Sequence, residues 1–162
     1  MAERMKDALS KLLDAYDARK RVDVEREQKT KDEEARFLSD FAELRRGVIR
    51  PVFEAAGALL EERGHRYSII EQEFTAGSVG SINEAGITMR VVPAGTKAAL
   101  HEDQRSLSVA TRHYNKTVWI NSGEAPRAGG LAGAAGAFAL EKVTRQLVED
   151  EMIAFVARVV AS

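Results

Sequence analysis

Three groups of residues in this sequence have the types and spacing to do chemistry. The first is its three histidines, His65, His101 and His113. No two stand at the His-x-x-x-His spacing that puts two ring nitrogens on one helix face for a zinc ion. His101-Glu102-Asp103 offers ligands from one loop, but a polar surface loop explains the same letters, so no metal or other cofactor is assigned. The second group is Glu71 and Glu73. As alternate residues of one strand they would lie roughly 7 Å apart on one face, a separation suited to acid–base hydrolysis. Such work also needs a cleft and stacking aromatics, and aromatics make up only 6% of the chain. A solvated strand face is the better reading, and no catalytic residue is assigned. The third group is Gly130, Gly133 and Gly136, three residues apart and preceded by Arg127. Backbone N–H groups at a glycine-rich helix start can hold an anion. The run lacks the Lys-Ser/Thr ending of a P-loop and the spacing of a dinucleotide fingerprint. Arg127, Gly130, Gly133 and Gly136 therefore form a candidate anion site, with a flexible connection as the plainer explanation. There is no Gly-x-Ser-x-Gly elbow.

Stronger than any of these is an apolar stripe. Met5, Leu9, Leu12 and Tyr16 step by 4, 3 and 4, which places them on one helical face. From Arg19 to Arg36 the chain carries 13 charges in 18 residues. Asp17–Arg21, Glu25–Lys29, Glu27–Lys31 and Asp32–Arg36 are acid-before-base pairs four apart. Each such pair supports a helix by about 0.2–0.5 kcal/mol, so the stretch reads as a solvated helix rather than a disordered linker. Phe37, Phe41, Leu44, Val48, Val52, Ala55 and Leu59 resume the stripe. Gly47 and Pro51 predict a kink or break between them, with Pro51 opening a new helix. Gly64 is a C-terminal stop.

Beyond Gly64 the composition changes. Residues 1–64 hold 14 basic and 15 acidic residues, against 10 and 10 in residues 65–162, and the second part carries most of the glycines and β-branched residues. Strands are expected at about 66–74, 86–92, 105–113 and 117–121. A two-residue turn at Asn115-Lys116 would set His113 opposite Val118, Thr111 opposite Ile120 and Arg112 opposite Trp119. Leu107, Val109, Thr111, Val118 and Ile120 then share the core face. Arg112 and Trp119 share the other, where a cation–π contact of about 0.5–1 kcal/mol can form. Residues 137–160 carry the apolar spacing of a closing helix.

These readings give an α+β chain: a long N-terminal helical segment kinked near Gly47–Pro51, an antiparallel meander of about four strands, and a closing amphipathic helix. Residues 1–36 form a charged, coiled-coil-like extension. Residues 37–162 form the α+β domain, beginning with a helix over 37–63. The formal net charge of −1 argues against a nucleic-acid partner, and the absence of cysteine excludes disulfides and thiol chemistry. No apolar run is long enough to span a membrane and the N-terminus is not signal-like, so a cytoplasmic location is expected. The function expected is a non-enzymatic, homo-oligomeric interaction protein. It would pair with itself or another protein through Leu9, Leu12, Tyr16, Phe37, Phe41 and Leu44. The alternative is a small-molecule or anion-binding domain, with a site near the glycine-rich run.

Overall fold

The computed structural model describes residues 2–77, 80–95, 105–122 and 134–161. It divides into two compact units, Met1–Arg36 and Phe37–Ser162.

The first unit is helical. Helix α1 runs over Ala2–Leu44. Within this unit every residue from Ala2 to Glu33 is exposed, as the dense, ordered charges require. Gln28 Nε2 donates to Asp32 Oδ1 at 2.9 Å, one turn on.

The second unit takes in the end of α1. A π-helical turn, Arg45–Ile49, leads directly into α2, Arg50–Glu62. This refines the expected kink. Pro51 has no N–H to offer the carbonyl four residues back. The backbone stays helical and widens by one residue just before the proline, with the Arg50 N–H donating to the Arg45 carbonyl. The Gly64 stop is a Schellman ending. At φ +89° Gly64 lets its own N–H reach the Glu61 carbonyl and the His65 N–H reach that of Leu60, both at 3.0 Å.

Five strands follow in one antiparallel sheet: β1 Arg66–Gln72, β4 Gly86–Val92, β5 Ser106–Arg112, β6 Thr117–Ser122 and β7 Ala134–Ala139, in that spatial order. The short pair β2 Thr75–Ala76 and β3 Ile82–Asn83 lies between β1 and β4 in the chain. Helix α3, Arg145–Ala161, closes the fold after a 3-10 turn at Leu140–Lys142. Helices and sheet form two layers. Ile87, Met89 and Val91 alternate inward from β4, Leu107 and Val109 from β5, and Val118 and Ile120 from β6. They meet Phe41, Ile49, Phe53, Val148, Met152 and Phe155.

Three expectations are corrected. The β5–β6 connection is a four-residue loop, His113–Lys116, so Thr111 pairs with Val118 and Arg112 with Thr117. The slip is two residues, which preserves the faces: Thr111 is buried with Val118 and Ile120. The Arg112 guanidinium still lies 4.0 Å from the Trp119 ring centroid, now as a diagonal neighbour. Second, the region assigned to the start of the last helix is strand β7, which pairs with β6 through Trp119↔Ala137 and Val118↔Phe138. Gly136, at φ +100°, sits beside the register shift between Ile120 and Asn121. Third, α3 starts at Arg145 because Thr144 caps it, its Oγ1 accepting from the Leu147 N–H at 3.2 Å.

Candidate functional site

In the first unit the apolar stripe is bare. Met5, Leu9, Leu12 and Tyr16, with Leu13 beside them, retain between 47% and 66% of their exposure. Among the described residues of this unit nothing covers these side chains. The Lys20 ammonium lies 5.8 Å from the Tyr16 ring centroid and marks the point where the stripe gives way to charge.

The second unit carries an apolar groove of about 570 Å³ between α2 and α3. Its walls are Leu59 and Leu60 of α2 and Met152, Ile153, Val156 and Val160 of α3. Leu59, Ile153 and Val160 are each more than half exposed. The polar members are Arg63 and His65, both just beyond the end of α2. The His65 Nδ1 accepts from the Ala94 N–H at 2.9 Å, so a neutral ring carries its proton on Nε2.

Two polar clusters in the second unit are structural clamps. Arg45 is buried and donates to the carbonyls of Gln72 at 3.0 Å and Gly86 at 3.3 Å, and to Glu73 Oε1. Its guanidinium carbon lies over the Phe41 ring, 5.9 Å from the centroid. Arg50 lies 2.7 Å from Glu54 and 3.4 Å from Glu71. Its hydrogen bond to Glu54 outweighs a small desolvation, and the Glu71 charge adds to it, holding the guanidinium pKa above its ordinary value. Glu71 and Glu73, weighed above as an acid–base pair, are thus the anionic partners of two arginines. At the same end of the sheet, the Glu84 carboxylate accepts the His113 backbone N–H at 3.0 and 3.1 Å and also bonds the ring Nδ1. Phe74 packs 4.8 Å from that ring. The pair ties the β5–β6 loop to Glu84, two residues before β4.

The six interface candidates fall into two sets. Leu9, Leu12 and Tyr16 are exposed in the first unit. Phe37 and Phe41 are buried in the core of the second, with Leu44 packed against them. Phe37 and Phe41 are spent on intramolecular packing, and Leu44 is partly so. Of the anion-site candidates, Arg127, Gly130 and Gly133 lie outside the described residues, as does His101. Gly136 belongs to β7 rather than to a helix start. Among the described residues no group of three His, Asp or Glu side chains could hold a metal ion, and no helix is long and apolar enough to cross a membrane.

The sequence reading missed the groove and Arg45. Ile153 and Val160 carried a faint signal, since they widen the apolar face of α3 beyond the stripe Val148, Met152, Phe155 and Val159 that the core uses. Nothing in the letters distinguishes Arg45 from its exposed neighbour Arg46. No protein family, curated protein or solved structure matches this chain.

Proposed function

We propose that the chain is a non-enzymatic interaction protein that self-associates through its N-terminal helix. The observation supporting this is the exposed stripe Met5, Leu9, Leu12 and Tyr16 on a helix whose other faces are solvated by ordered charge. Each of these side chains, and Leu13, has about half its surface left to bury, worth roughly 1 kcal/mol apiece. Across the ten side chains of a pair that is about 10 kcal/mol, against an association cost taken as about 4 kcal/mol, the low end for a pre-formed helix. The expected complex is a reversible dimer with a Kd on the order of tens of micromolar. Replacing Leu12 by Asp puts a carboxylate into the seam on both helices and weakens pairing by at least about 100-fold. Leu12 is 66% exposed, so the substitution leaves the fold intact. Sedimentation velocity over a concentration series tests this. A wild type that stays monomeric, or a dimer indifferent to Leu12→Asp, would count against it.

A second reading rests on the groove between α2 and α3. A cleft walled by aliphatic side chains, with Arg63 and His65 at one end of α2, suits a small aliphatic molecule bearing an anionic head. It gives the small-molecule alternative a better location than the glycine-rich run. A medium-chain carboxylate should raise the melting temperature of the wild type and leave that of Ile153→Asp unchanged. An equal shift in both proteins would place the ligand elsewhere.

A further inference from the structure

We infer that the N-terminal helices of two copies pair antiparallel, centred between Ser10 and Lys11. This rests on the self-association proposed above and adds the orientation of the partner. Two features of the sequence, laid on an exposed helix, carry it.

The first is symmetry. The stripe steps 4, 3, 4 from Met5 to Tyr16, and that spacing reads the same in both directions. Turn one copy end for end and each apolar residue meets another: Met5 opposes Tyr16, and Leu9 opposes Leu12. The face is complementary to its own reverse, which is what a two-fold interface demands. Ala8 and Ala15, small residues on one flank, let the helices approach closely.

The second is charge. Continued at the same spacing, the seam positions become Arg19, Asp23, Arg26, Thr30 and Glu33. A parallel, in-register pair sets every residue against its own copy. Arg19 would face Arg19, Asp23 would face Asp23 and Arg26 would face Arg26, three consecutive layers of like charge in the seam. Antiparallel pairing about the stated centre sets none of these residues against its own copy: Arg19 lies opposite Ala2. The macrodipoles of the two helices also oppose in this arrangement.

The test uses the absence of cysteine in the chain. A single Glu25→Cys on the exposed helix takes one spin label per copy. At about 1.5 Å per residue, antiparallel pairing separates the two labels by roughly 44 Å, whereas parallel pairing brings them within about 20 Å. Pulsed dipolar spectroscopy is done on the full chain at a concentration where sedimentation shows it dimeric. A distance near 44 Å, abolished by Leu12→Asp, supports the inference. A dimer with a short distance overturns the orientation and leaves self-association standing. A chain that sediments as a monomer throughout overturns both and turns attention to a different partner for the stripe. A dimer that keeps its mass and distance in Leu12→Asp places the interface elsewhere, the α2/α3 groove first, and overturns this inference too.

Discussion

Replacing Arg45 by Met should destabilise the α+β unit by about 2–4 kcal/mol. Met keeps an unbranched apolar stem and removes the guanidinium, including its contact with the Phe41 ring. The Gly86 carbonyl bond is buried, and losing its donor without replacement costs about 1–3 kcal/mol. The Gln72 carbonyl is part-buried and can recover some hydration, so about 1 kcal/mol is assigned to it. The ion pairs add little, because Glu71 and Glu73 keep 34% and 70% of their exposure and water screens both. For a unit of this size 1 kcal/mol corresponds to roughly 3–5 °C in Tm, so the midpoint falls by about 10 °C. Arg50→Met is the control. Its partners Glu54 and Glu71 are solvent-accessible, and it should cost much less than Arg45→Met. Urea unfolding followed by Trp119 fluorescence gives both values from one assay. If the two variants lose equal stability, the buried clamp is not what joins the π turn to the ends of β1 and β4.

Two further substitutions test the packing. A Cβ at Gly57 would sit 2.4 Å from the Tyr67 ring, so Gly57→Ala should cost about 1–3 kcal/mol despite its better helix propensity, with recovery in a Gly57→Ala/Tyr67→Ala double variant. Thr144→Ala should remove about 1 kcal/mol by uncapping α3, and Thr144→Ser should restore most of it; both are read from urea midpoints.

Where the side-chain period carried the information, the fold was legible. Strand β4 lies at 86–92 as read, because Ile87, Met89 and Val91 alternate with Thr88 and Arg90 between turn residues. The core faces of β5 and β6 were legible for the same reason, while their register was not. Parity is written in the alternation, but loop length is not: the four-residue loop ends with Lys116 at φ +55° and is held by Glu84, 29 positions before His113. Strand β7 left no signal because Ala134–Ala139 has no β-branched residue. Its pairing comes from the neighbouring β6 backbone. Of the candidate surfaces, the N-terminal stripe could be read directly, since a helix face is a local pattern. The division of the six interface candidates could not. Phe37 and Phe41 share the period of Leu9 and Leu12, and only the folded core decides which of them water still reaches. The groove needs α2 and α3 side by side, an arrangement with no local signature.

The most direct test of the central claim is the sedimentation behaviour of the wild type and Leu12→Asp from about 5 to about 500 µM, a range that brackets the expected Kd. The account predicts that the wild-type mass rises from 17.8 kDa toward twice that value while Leu12→Asp remains at 17.8 kDa. A wild type that stays at 17.8 kDa across the whole range would contradict it.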